Sequence, residues 1–254
     1  MIDIKIPEDI TPFLNTIRHM DAIDMLRTLP DESVDLVFTD PPYVISTAKR
    51  IHRDYRSGKN GDVSFDFGDW DYDFNPIPFL EEAKRVINPH GGIIVFMAEQ
   101  QFGTYRDWLA EHMYPRQLLV WAKLNPIPSF TKIGYRQATE LLYWATKEKG
   151  IKRTNPNFNF TTQEEMRNII VSGICQGNER VKFPKKHPTQ KPLKVCKQII
   201  NVHCRPGGVI VDPYSGVGSI SVAAKELGRH YIGSDLDEVY VQISKERLAN
   251  VSIG

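Results

Sequence analysis

The stretch from Val209 to Asp235 constrains the fold more than any other part of the chain. Val209-Ile210-Val211-Asp212 is a short apolar run suited to a buried strand. It meets Pro213-Tyr214-Ser215-Gly216-Val217-Gly218-Ser219, a loop whose glycines allow a tight turn and a close approach of backbone to a ligand. A helix follows with Val217, Ile220, Ala224 and Leu227 at helical spacing, then a strand at His230-Tyr231-Ile232-Gly233. Two parallel strands joined through a helix need further helices to cover the sheet.

The same alternation recurs elsewhere. Thr16–Met20 predicts a strand, a helix carries Ala22, Ile23, Leu26 and Leu29, and Val34–Thr39 predicts a second strand. A helix around Pro78–Ile87 leads through Asn88-Pro89-His90-Gly91-Gly92 into the apolar run Ile93–Met97. Leu118–Trp121 and Glu140–Trp144 fit strands, Leu193–His203 a helix, and a last helix ends near Leu248. The pattern predicts an α/β fold, a doubly wound, mostly parallel sheet in one catalytic domain spanning 1–254. Residues 44–75 are polar and glycine-rich and read as a mobile loop. The weakly periodic stretch 125–186 reads as an inserted recognition region.

The loop at Asp212 restricts the ligand. A dinucleotide site would carry a third glycine and leave a helix N-terminus open to pyrophosphate. Here Ser221 stands where that glycine would fall, and the Asp212 carboxylate would repel a pyrophosphate while pairing with an ammonium. Asp235, twenty-three positions on, can accept from two ribose hydroxyls. S-adenosylmethionine has the ammonium and the ribose and lacks phosphate. A nicotinamide dinucleotide or a plain tight turn are the competing readings.

Asp40-Pro41-Pro42-Tyr43 ends the second strand, at the sheet edge where ligands bind. The prolines fix φ and carry no N–H. The Asp40 carboxylate and the Pro41 carbonyl can therefore hold both N–H bonds of an exocyclic amino group and aim its lone pair at a methyl carbon. Tyr43 offers a face on which a flipped base can stack. A rigid turn is the competing reading.

Between Lys147 and Lys197 the chain carries twelve basic residues against four acidic ones, enough to neutralise several phosphates. Cys175, Cys196 and Cys204 form no C-x-x-C pair and read as reduced thiols of a cytoplasmic protein. No secretory leader or membrane-length apolar run is visible.

Together these motifs resemble the permuted, β-class DNA amino-methyltransferases of restriction-modification systems. Asp40–Tyr43 resembles their catalytic motif, Asp212–Ser219 their cofactor loop, and His187-Pro188-Thr189-Gln190-Lys191-Pro192 the signature before it. The catalytic motif comes first and the cofactor loop last, as in that class. Tyr214, Val217 and Ser219 depart from the usual Phe, Ser and Thr. The resemblance implies transfer of a methyl group from S-adenosylmethionine to the N6 amino group of adenine in double-stranded DNA. Cytosine-N4 transfer or an inactive DNA-binding descendant are the alternatives, and Asp at position 40 favours adenine. It further implies that Asp21 and Ala22 lie near the cofactor's adenine, that Thr189, Gln190 and Lys191 open a helix beside its carboxylate, and that Asp212, Pro213, Tyr214, Ser215, Gly216, Gly218, Ser219 and Asp235 hold the rest. His187 is open between a capping role and a place in the site. Phe67, Gly68 and Trp70 resemble packing residues near the target base. Lys132, Arg136, Arg153, Arg167, Arg180, Lys182 and Lys185 are the candidates for DNA contact. A homodimer and a cognate endonuclease acting on the same site are further implied partners. No metal is expected.

Overall fold

A computed structural model describes residues 5–43, 74–128, 134–148, 157–182, 184 and 187–251. Its strands are β1 (Thr16–His19), β2 (Val34–Thr39), β3 (Ile87–Met97), β4 (Tyr114–Lys123), β5 (Thr139–Thr146), β6 (Ile169–Ser172), β7 (Val209–Asp212) and β8 (His230–Asp235). Its helices are α1 (Ala22–Thr28), α2 (Ile77–Val86), α3 (Phe102–His112), α4 (Leu193–His203), α5 (Ser219–Glu226) and α6 (Glu238–Ala249). The strands form one sheet in the order β1-β8-β7-β2-β3-β5-β4-β6. β5 runs against both neighbours, β3 and β4, and the other pairings are parallel. The expected α/β, mostly parallel sheet is what the chain forms.

Alternation along the strands builds two cores. Val34 and Val37 of β2, with Ile93, Val95 and Met97 of β3, pack on Met25 and Leu26 of α1, Leu80 and Ala83 of α2, and Tyr105 and Leu109 of α3. On the opposite face, Leu36, Phe38, Ile94 and Phe96 pack on Val195, Ile199 and Ile200 of α4, Ile220 of α5 and Val241 of α6. Every β2 residue is buried, as a central strand covered on both faces requires.

Three features depart from the sequence reading. The Asn88–Gly92 segment belongs to β3, which starts at Ile87. Close packing explains its glycines: a Cβ on Gly91 would stand 2.7 Å from the Asp35 carbonyl oxygen, and one on Gly92 2.8 Å from that of Ala145. Helix α3 adds an element that the pattern reading passed over. Strand β6 comes from within residues 125–186 and pairs with β4, so that stretch is partly built into the sheet. All three cysteines are buried and free, and burial pushes the Cys175 thiol up to about 11. Among the described residues no helix is long and apolar enough to cross a membrane. The expected loop at 44–75, with Phe67, Gly68 and Trp70, falls almost entirely outside the described residues.

Candidate active site

Four neighbouring parallel strands each end on an aspartate or lead to one within two residues. In sheet order, β1 leads to Asp21, β8 ends on Asp235, β7 on Asp212, and β2 is followed by Asp40. From β2 the chain continues to its neighbour β3, and from β7 it continues to β8 on the other side, so the winding reverses between β7 and β2. A crevice forms outside the carboxyl ends at such a switch point. Here it is a cavity of about 790 Å³. Its wall contains Asp40, Pro41, Pro42 and Tyr43 together with Asp21, Ala22, Thr189, Gln190, Lys191, Asp212, Pro213, Tyr214, Ser215, Gly216, Ser219 and Asp235. Residues up to 214 positions apart in sequence thus share one chamber.

The carboxylates differ in setting. Asp212 is buried and accepts from the Thr39 hydroxyl at 2.6 Å, and burial pushes its carboxyl up to about 7. Asp235 accepts from the backbone N–H groups of Gly216 and Asp237, each at 2.8 Å, so it braces the glycine loop from the adjacent strand. Asp21 lies in the wall and also caps α1, accepting from Ile23 N at 2.8 Å and Asp24 N at 3.2 Å.

Gly216 has φ +49°, and a Cβ there would meet His187 Nε2 at 2.7 Å. Gly218 is not among the residues that form the cavity wall, which includes its neighbours Val217 and Ser219. It caps α5 with φ +75°, and a Cβ would meet Ser244 Oγ of α6 at 2.8 Å. Gly218→Ala is expected to lower unfolding stability by about 1–3 kcal/mol, since strain and overlap combine. Denaturant unfolding checks this, and an unchanged midpoint would refute it.

Asp40 sits in a buried charge cluster. Its Oδ1 accepts from the Tyr43 hydroxyl at 2.5 Å, and its Oδ2 pairs with Lys191 Nζ. Lys191 also lies 3.3 Å from Glu140 Oε2, and Lys123 Nζ lies 2.8 Å from Glu140 Oε1. Burial pushes the Asp40 carboxyl above its ordinary value, and Lys191 pulls against that shift. Burial would lower the Lys191 ammonium, but Asp40 and Glu140 outweigh it and hold the group above its usual range. Gln101 fastens the tetrapeptide from the segment after β3, donating to the Pro42 carbonyl at 2.9 Å.

The segment at 189–191 differs from expectation. Helix α4 starts at Leu193, so Thr189, Gln190 and Lys191 form a turn ahead of it. The Gln190 side chain binds backbone, accepting from Val181 N and donating to Glu179 O, both at 2.9 Å. The Lys191 ammonium is engaged by two protein carboxylates. His187 lines the cavity, packs 4.8 Å from the Tyr240 ring and caps no described helix. Burial, with Lys191 nearby, pushes its imidazole down to about 4, so it is neutral at pH 7. His187 Nδ1 and Ser219 Oγ have no hydrogen-bond partner among the described residues.

Sequence reasoning missed Glu140, Lys123, Gln101, His19, Leu236, Asp237, Glu238 and Tyr240. The wall residues after Asp235 follow directly from the strand end it occupies. Glu140 carried a signal too, as a carboxylate at the start of a strand otherwise filled by apolar residues.

Of the basic candidates, Arg136 is exposed just before β5, whose first residues pair with the end of β4 at the same sheet edge as Asp40. Lys182 is exposed as well. Arg167 pairs with Glu164 at 3.0 Å and precedes β6, about 16 Å of strand back from that edge. Arg180 is half-buried and donates to the Pro188 carbonyl at 3.3 Å, so it braces the turn at 187–191. Arg167 stays exposed at the surface, while the Arg180 guanidinium is turned onto backbone. Lys132, Arg153 and Lys185 lie outside the described residues.

The family model for N6/N4 methylases, described as DNA methylase, matches residues 34–246. The chain is 33% identical to the type II methyltransferase M.HinfI of Haemophilus influenzae over 96% of this chain and 71% of that protein. It is 31% identical to the type II methyltransferase M2.LlaDCHI of Lactococcus lactis subsp. cremoris, over 91% and 87%. Among solved structures, the M1.HpyAVI–SAM complex superposes with a TM-score of 0.69 at 27% identity, covering 92% of this chain and 99% of that one.

Proposed function

Because the chain belongs to the N6/N4 DNA methylase family, we propose that it is a site-specific methyltransferase moving a methyl group from S-adenosylmethionine to the N6 amino group of an adenine flipped out of double-stranded DNA. The observation that carries the reading is the single chamber joining the Asp40–Tyr43 tetrapeptide to the Asp212–Asp235 loops.

The residues present fit the cofactor. A cavity of about 790 Å³ lies within the roughly 300–1,000 Å³ usual for small-molecule sites. Its wall offers aspartates for an ammonium and a ribose, and the buried Ser219 Oγ and His187 Nδ1 are polar atoms that a bound polar ligand would satisfy. When bound, the cofactor supplies a methyl carbon made electrophilic by its sulfonium.

In this reading Asp235 accepts from the ribose hydroxyls, Asp212 pairs with the methionine ammonium, and Asp21 and Ala22 flank the adenine. Asp40 and the Pro41 carbonyl take the two N–H bonds of the target amino group and turn its lone pair toward the methyl carbon. Orientation of this kind contributes several kcal/mol to lowering a barrier. Asp40, raised by burial, is also the nearest acceptor for the proton that the nitrogen sheds. Tyr43 stacks on the extruded base, and Arg136 and Lys182 contact phosphate. The choice of adenine rests on the carboxylate at position 40. A cognate endonuclease is part of the reading.

Asp212 makes cofactor binding pH-dependent. An ammonium prefers the ionised carboxylate, so binding below about pH 7 must first expel a proton. Calorimetry is expected to show affinity level above that value and falling by up to about tenfold per pH unit below it. A flat profile from pH 8 to pH 5.5 would remove Asp212 from the ammonium site.

Transfer of label from S-[methyl-³H]adenosylmethionine to unmethylated genomic DNA tests the reading. Label held by the DNA and absent from RNA supports it, and label confined to RNA would overturn it.

A further inference from the structure

Both oxygens of Asp40 have partners within the protein. Tyr43 donates to Oδ1 and the Lys191 ammonium sits on Oδ2. A cation there competes with an incoming amino group for the same oxygen and weakens the carboxylate's pull on its N–H bonds. Glu140 offers the remedy. Its Oε1 is fixed by Lys123 of β4 at 2.8 Å, which leaves Oε2 facing the cluster, 3.3 Å from Lys191 Nζ and 3.4 Å from the Tyr43 hydroxyl. The ammonium also lies 4.8 Å from the Phe96 ring centroid and 5.3 Å from that of Tyr43, and aromatic faces accommodate a displaced cation. Two ammoniums and two carboxylates balance, so a small shift of Lys191 leaves no buried charge unpaired.

We propose that Glu140 is a positioning residue: it is the second seat for the Lys191 ammonium, which rests on Asp40 in the structure and crosses to Glu140 when the target amino group takes Asp40. This rests on the reading of Asp40 as the acceptor for that amino group. Tyr43, whose hydroxyl spans both carboxylates, follows the same exchange.

Glu140→Gln tests it. The amide keeps the shape and removes the charge that draws Lys191 away. S-adenosylmethionine affinity is expected to stay within about twofold, while kcat falls by up to about a hundredfold at pH 7.5. A pH profile separates positioning from mere packing. The groups facing Lys191 are Asp40 and Tyr43 beyond β2, Glu140 of β5, Lys123 of β4, the Cys196 thiol of α4 and His187 in the cavity wall. Without the Glu140 charge the ammonium gives up its proton at lower pH and releases Asp40. The variant's kcat therefore climbs toward the wild-type value as rising pH neutralises the ammonium, while the wild type, whose ammonium Glu140 helps to keep charged, stays level over the same range. Glu140→Asp, which keeps the charge one methylene further back, falls between the two and carries the test should the Gln variant fail to fold. Wild-type kcat in Glu140→Gln, or an equal loss at every pH, overturns the proposal. Asp40→Ala run in parallel separates the failures: if it is inactive, only the seat for Lys191 is lost, and if it is active, the reading of Asp40 itself falls.

Discussion

Asp40→Ala is expected to cut methyl transfer to DNA by about three orders of magnitude while leaving S-adenosylmethionine affinity within a few-fold of wild type. On the proposed reading the substitution removes the carboxylate that orients the target nitrogen, and losing one such polar contact costs a factor of roughly 10²–10³ in turnover. Loss of the acceptor for the departing proton adds to it. Cofactor binding survives because Asp212 and Asp235 stand on other strands, at the ends of β7 and β8. The fold survives because Lys191 keeps Glu140 as a partner and the Pro42 carbonyl keeps Gln101. Single-turnover kinetics with calorimetry on the same preparation checks both halves. Transfer within tenfold of wild type would remove Asp40 from the chemistry.

The second large effect is on the cofactor. Asp235→Ala is expected to raise the S-adenosylmethionine dissociation constant by about 30- to 100-fold, with kcat at saturating cofactor changed far less. Hydrogen bonds to a charged group contribute about 1.5–3 kcal/mol, and each 1.4 kcal/mol is tenfold in affinity. Part of the loss comes through the loop, since Asp235 also holds Gly216 N and Asp237 N at 2.8 Å. Asp235→Asn narrows the loop's share: its one remaining carbonyl can still hold Gly216, so the smaller loss reflects the ribose contacts together with the Asp237 brace. An unchanged dissociation constant in the Ala variant would refute the assignment.

What the sequence disclosed was local. The apolar run Val209–Val211, the glycine loop and the spacing to Asp235 are short-range signals, and helix Leu193–His203 is bounded in the structure as its periodicity predicts. Asp40–Tyr43 was legible because two prolines and a strand end fix its place within a few residues. The rest depends on partners distant in the chain. Glu140 gains its meaning from Lys123 on the next strand and Lys191 fifty-one positions on, and only the β4–β5 register and the turn before α4 bring them together. The packing constraint on Gly218 comes from Ser244 of α6, twenty-six positions on, and its place in the glycine loop does not reveal that partner. Arg180 looked like a surface charge, yet its guanidinium is folded onto the Pro188 carbonyl. Helix α3 was readable, with Tyr105, Trp108 and Leu109 at helical spacing, and was obscured by its polar remaining positions.

The central claim is that the chamber between Asp40 and Asp235 delivers a methyl group to adenine. Its most direct test is to methylate unmodified genomic DNA with labelled S-adenosylmethionine, digest it to nucleosides and resolve them by chromatography. Label in N6-methyladenine, lost in Asp40→Ala, is the predicted result. Label in N4-methylcytosine, or none on DNA from protein that binds the cofactor, would contradict it.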